Sequence, residues 1–161
     1  MTFTNSYSGQ NGGAIGIYAG DYSRSGAESK LFISVYNCVF NNCSCKNNGG
    51  AICGSTEGKL GISSCSFNNG KAENGADIYY IDTTKETPSN VTIRNCYFSN
   101  GQATNAGGAI YSVADSVFVD FCNFTGCNAK TNGAIMFIES QSNFSLENNI
   151  INYSSNAAVP A

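Results

Sequence analysis

The chain has 161 residues, a formal net charge of −3 and only 12% charged side chains, which is enough length for one domain. Its eight Lys and Arg are scattered singly, so a nucleic-acid partner finds no basic patch, and the lack of any His removes Ser-His-Asp triads, Cys-His nucleophiles and His-ligated metals. No run of about 18 apolar residues offers a transmembrane helix, and Met1-Thr2-Phe3-Thr4-Asn5 lacks the basic and apolar regions of a signal peptide.

In chain order, the first recognisable unit joins Phe3 to a GGAI motif at 12–15. A polar stretch at 18–29 follows, carrying Asp21, Arg24 and Glu28, and reads as a protruding loop. The second unit opens on the alternating apolar pair Ile33 and Val35, passes two residues, then Cys38, then Phe40, and reaches GGAI at 49–52. The third repeats this order with Leu60, Ile62, Cys65, Phe67 and GADI at 75–78, and a second polar loop follows near 82–90. The fourth has Val91, Ile93, Cys96, Phe98 and GGAI at 107–110; the fifth has Val117, Val119, Cys122, Phe124 and NGAI at 132–135. A sixth begins with Phe144, Leu146, Asn149 and Ile151.

The distance from each Phe to the following Ile is 12, 12, 11, 12 and 11 residues. Such regularity marks a repeat architecture, in which units that cannot bury their own apolar faces stack on one another. Period-two alternation makes each apolar pair a strand, the two intervening residues a bend, the Cys-x-Phe a second strand and Ala-Ile a third. The expected fold is all-β: a single-domain right-handed parallel β-helix over 1–161, of about five coils with three short strands each. Stacking at about 4.8 Å would give a height of about 24 Å. A β-sandwich also has many short strands but does not predict the constant Phe-to-Ile spacing.

Interior columns are expected at Phe40, Phe67, Phe98 and Phe124, at Cys38, Cys65, Cys96 and Cys122, and at Ile15, Ile52, Ile78, Ile110 and Ile135. Ile is placed inside because Asp77 precedes it in the third copy, and a buried unpaired Asp is costly, which puts Asp77 outside. Asn37, Asn95 and Asn148 at the second bend position suggest an Asn ladder. The first bend position should face solvent and stack Arg94, Asp120 and Glu147. Two such carboxylates could serve acid/base work or hold Ca²⁺, and Arg94 with Asp120 could equally form an exposed ion pair of little weight. Asp77 and Asp82 flank one strand with no partner carboxylate in register.

Eight Cys leave packing thiols, some disulfides or a metal site open; Cys43, Cys45, Cys53 and Cys127 fall in or near turns. The Cys-x-Cys at 43–45 has no second pair and no His, a weak metal signal. Asn-x-Ser/Thr sequons stand at Asn42, Asn90, Asn123, Asn143 and Asn152. No catalytic, cofactor or metal residues are assigned. Neither end carries a polar capping element, so a longer solenoid or end-to-end self-association is expected.

The GGAI motifs, with upstream Phe40-Asn41-Asn42, Phe67-Asn68-Asn69 and Phe98-Ser99-Asn100, resemble the polymorphic outer membrane protein repeat and the wider pectate-lyase-like β-helix surface proteins. The resemblance covers nearly the whole chain, although the family's Asn three residues after Phe is here Cys43, Gly70, Gly101 and Cys127. It implies a surface-exposed or secreted, adhesin-like domain without catalytic residues or cofactor, binding an extracellular or host-surface ligand. A polysaccharide lyase or hydrolase of the same fold and a structural spacer are the competing readings.

Overall fold

The computed structural model describes residues 1–18, 32–56, 58–82 and 88–152. The first partial coil holds β1 (Thr2–Thr4), β2 (Tyr7–Ser8) and β3 (Ile15–Tyr18). The next holds β4 (Phe32–Tyr36), β5 (Val39–Asn41), β6 (Ser44–Cys45) and β7 (Ile52–Ser55), and the one after it β8 (Lys59–Ser63), β9 (Ser66–Asn68), β10 (Lys71–Asn74) and β11 (Ile78–Ile81). Then come β12 (Asn90–Arg94), β13 (Tyr97–Ser99), β14 (Gln102–Ala106) and β15 (Ile110–Asp120), followed by β16 (Asn123–Thr125), β17 (Asn128–Ala129), β18 (Met136–Glu147) and β19 (Ile150–Asn152).

Every pairing is parallel and joins a strand to its counterpart one coil away. The result is an all-β parallel solenoid. Among the described residues four coils carry every wall and a partial coil flanks them at each end, where the sequence suggested about five. The strands form three sheets: β1-β5-β9-β13-β16-β19, then β17-β14-β10-β6-β2, then an eight-stranded wall in which the motif strands and the apolar-pair strands join. The turn expected between Phe and Ala-Ile is itself the second sheet. Its strands are as short as two residues, turning Cys45, Ala72, Ala103 and Ala129 inward. The motif strand and the following apolar pair fuse into one strand in β15 and β18, where the connection is short.

The Phe column forms as expected. Phe3, Phe40, Phe67, Phe98 and Phe124 stack with centroids 4.8–4.9 Å apart and planes within 6° of parallel. The apolar pairs line the next wall, buried from Val35 through Val119. Phe144 and Leu146 keep the register opposite Val117 and Val119, but are 58% and 43% exposed because no further described coil covers them.

Three expectations need correction. In the fifth copy it is Met136, not Ile135, that pairs with Ile110. Ile135 takes the Ala place, its carbonyl accepting from Ala109 N and Ile110 N. The Phe-to-column spacing there is thereby 12, and the single 11-residue copy is absorbed by a register shift at Asn74. Second, Asp77 is not outside: it is 1% exposed, as is the Ala position generally at this corner. Both the Ala and the Ile amides of each motif bond one carbonyl of the next coil, as Ala51 N and Ile52 N bond Asp77 O. This breaks the alternation and turns two successive side chains inward. Third, Asn37, Asn95 and Asn148 are separated by Ser64 and Phe121 in the intervening coils and form no ladder. Their shared property is the left-handed backbone: φ is 52°, 54°, 53°, 52° and 53° at Asn37, Ser64, Asn95, Phe121 and Asn148. Ladders form at other corners instead, through Asn5–Asn42–Asn69–Asn100 and Asn48–Asn74–Asn105, with amide bonds of 2.8–3.3 Å.

Phe121 is the misfit of the bend series, a bulky residue at positive φ with 58% of its surface exposed. Asn tolerates that conformation far better. Phe121→Asn is expected to raise the unfolding free energy by about 1 kcal/mol, measured by urea denaturation.

Candidate functional site

The outer bend stack sits where the sequence put it. Arg94 pairs with Asp120 in the strand register, and Asp120 with Glu147. Arg94 Nε lies 3.9 Å from Asp120 Oδ2, Asn148 Nδ2 donates to Asp120 Oδ1 at 3.2 Å, and Ser145 Oγ donates to Glu147 Oε1 at 2.9 Å. Both carboxylates are thus occupied by neighbours, and the exposed ion pair carries little energy. Asp82 donates through its backbone N to Val113 O, seven residues before Asp120 on β15. Among the described residues no three Cys, Asp or Glu side chains converge on one point, the pair Cys43 and Cys45 included.

A polar groove of about 380 Å³ runs along one corner, between the Asn42–Asn69–Asn100 ladder and the column Ser44–Lys71–Gln102. The ladder amides bond one another along the axis, so each presents its remaining donor and acceptor capacity to the groove. A second outer feature is the aromatic stripe Tyr79–Tyr111–Phe137, stacked at 4.9 and 4.7 Å on the motif wall. Sequence reasoning missed both. The signals were present: an aromatic follows Ile78, Ile110 and Met136 in successive copies, and Asn42, Asn69 and Asn100 share one offset from their Phe. The loop at 18–29 lies outside the described residues apart from Tyr18, as do 83–87 of the loop near 82–90.

A model of the right-handed β-helix region matches residues 31–159. The chain belongs to that family. None of the curated proteins and none of the solved structures gives a significant match. No helix among the described residues of this β-helix is long and apolar enough to cross a membrane.

All eight cysteines are free. Each Sγ of the column donates to the carbonyl two residues earlier: Cys38 to Tyr36, Cys65 to Ser63, Cys96 to Arg94 and Cys122 to Asp120, at 3.2–3.4 Å. Asn149 takes the same place in the last coil, its Nδ2 donating to Val119 O at 2.9 Å and its Oδ1 accepting from Cys122 N at 2.8 Å. The column therefore satisfies bend backbone as well as filling space. The neighbouring Cys96 thiol draws Cys65 and Cys122 down, and the same proximity pushes Cys96 up. The turn cysteines are also interior: burial raises Cys43, takes Cys53 to about 11 and takes Cys127 to about 12.

Asp77 is the anomaly of the β-helix interior. Its column elsewhere holds Ala51 and Ala109, and it fits because Gly70 and Gly101 replace Cys43 and Cys127 in the facing column. A Cβ at Gly70 would overlap Asp77 Oδ1, and one at Gly101 would lie 3.0 Å from Oδ2. Oδ2 has no hydrogen-bond partner, and burial alone holds the carboxyl well above its usual range. The folded state keeps this proton at pH values where the unfolded chain has lost it, so stability falls as pH rises above the unfolded value of about 3.9. Asp77→Asn keeps the shape and removes the titration. Its unfolding free energy should exceed that of the parent chain at pH 7, with the gap closing by up to about 1.4 kcal/mol per pH unit as acid denaturation series approach pH 4.

Proposed function

We propose that this β-helix is a non-catalytic, surface-exposed or secreted repeat domain of adhesin type, related to the polymorphic outer membrane protein repeats, that recognises an extended extracellular ligand along its outer walls. The observation that carries the reading is the groove lined by Asn42, Ser44, Asn69, Lys71, Asn100 and Gln102. It repeats an Asn amide once per coil beside a polar column that varies from Ser44 to Lys71 to Gln102, and such an axial row suits an extended polymer with polar units, such as a glycan chain, better than a compact small molecule. The carboxylates a glycan-cleaving enzyme would use, Asp120 and Glu147, are engaged by Arg94, Asn148 and Ser145. The GGAI copies with their upstream Phe support kinship with surface repeats.

Binding to arrayed polysaccharides and extracellular-matrix components tests this reading. Lys71→Glu with Gln102→Ala, both on the exposed side of their strands, should reduce the strongest signal at least tenfold while leaving the circular dichroism spectrum unchanged. Release of unsaturated or reducing ends from polygalacturonate with Ca²⁺ present would instead establish a lyase or hydrolase, and full cell attachment by the groove variant would favour a spacer.

The partner reading extends to a second copy of the chain. Phe144, Leu146, Ile150 and Ile151 are each more than 40% exposed on the last described coil, and β1 and β19 are the outermost strands of their sheet among the described residues. Stacking of one chain's last coil on another's first would continue each column in register. Light scattering should give masses that rise with concentration above 16.9 kDa, and Leu146→Lys with Ile151→Lys should restore the monomer.

A further inference from the structure

The column Cys38–Cys65–Cys96–Cys122 contains four thiols in consecutive coils, each two residues before its Phe. The adjoining Phe rings measure the spacing of that stack as 4.8–4.9 Å. A disulfide needs its Cβ atoms about 3.5–4.5 Å apart and its sulfurs at about 2.05 Å. Strands held by an in-register ladder and a stack of close-packed rings do not approach that far, which fits eight free thiols. Two metal–thiolate bonds of about 2.3 Å placed in line span about 4.6 Å, close to the coil spacing.

We propose that the column is a binding site for a soft monovalent d¹⁰ ion, Cu(I), held two-coordinate between the sulfurs of successive coils. Tetrahedral Zn²⁺ has no place here, since no three candidate ligands converge among the described residues. Thiolates select Cu(I) by softness, and linear coordination asks only for two of them on opposite sides. The carbonyls of Cys38, Cys65 and Cys96 accept ladder bonds from Ser66 N, Tyr97 N and Asn123 N at 2.9–3.0 Å, which holds successive cysteines in register along the axis. The amide of Cys38 donates to Cys65 Sγ at 3.4 Å and supplies a dipole that favours a thiolate there. Cys65, Cys96 and Cys122 are at most 3% exposed, which keeps water and oxidants from the bound ion, while Cys38 is only half-buried and gives the point of entry. Each ion seated between two thiols forms two Cu–S bonds and releases the displaced protons to solvent, so no electron changes hands. The site is independent of the outer walls and stands whether or not they bind a glycan.

The test is an anaerobic titration of the fully reduced chain with Cu(I) against bicinchoninate, followed by thiolate-to-copper ultraviolet absorption and by X-ray absorption at the copper edge. Two sulfurs per copper in linear geometry are expected. Cys96→Ser, which leaves Cys38 and Cys65 as the one adjacent pair of the column, should cut the copper capacity at least twofold, and Cys53→Ser should leave it unchanged. Cys122→Asn, which copies the natural Asn149, guards against a folding failure and should lower the copper capacity without loss of the β spectrum. Failure to compete with the chelator, three-coordinate copper, or unchanged binding in Cys96→Ser and Cys122→Asn would overturn the proposal, as would loss of binding in Cys43→Ser alone.

Discussion

Each inward side chain lies on its counterpart in the next coil, and the ladder fixes that distance at 4.8–4.9 Å. A flat aromatic ring stacked on an identical ring fills this interval without a void, which is why one position holds Phe through five copies. Identical amides meet the same condition by bonding head to tail, Asn69 to Asn42 and Asn100 to Asn69. The spacing therefore selects residues that tolerate their own image, and both the columns and the ladders follow from it.

The same constraint explains the exceptions, because a large residue in one coil must be offset in the coils that touch it. Asp77 occupies space left by Gly70 and Gly101. Tyr80 leans over Gly54, where a Cβ would come within 2.9 Å of its ring, and sends its hydroxyl to Thr56 O and Gly58 O. Tyr80 thus satisfies its polar end, whereas Asp77 leaves Oδ2 unpaired. The two are sterically alike and energetically opposite: burial of a bonded hydroxyl costs little, and burial of an orphaned carboxyl is tolerated only in its protonated form.

The Phe column, the apolar pairs and the outward Arg94–Asp120–Glu147 order were legible in the sequence because each depends on a position repeated at one offset. What escaped it depended on comparison between coils. Ile135 and Met136 are both apolar, so periodicity could not decide which faces Ile110; the backbone of Gly133, at φ 59° like Gly107 at 69°, does. Burial of Asp77 was unreadable from its own motif, where an alternating strand would expose it, yet the exchange of Cys for Gly at 70 and 101 was its visible counterpart. The second sheet escaped because strands of two residues show no period. The outer groove escaped because it belongs to no single repeat and exists only once three are stacked.

Interior and exterior are under different rules in such a stack. An inward substitution is felt by the coils above and below it, so the interior changes only in matched sets, as at 70, 77 and 101. An outward substitution meets solvent on one side and is limited mainly by its effect on the ladder. Column positions such as Ser44, Lys71 and Gln102 can therefore diverge while the backbone beneath them stays fixed. That freedom suits recognition, which needs variety on a rigid frame. The regularity that builds the frame brings each outward charge next to a side chain from the adjoining coil, so its surroundings are set by the residues one repeat away, as Asp120 is set by Arg94 and Asn148.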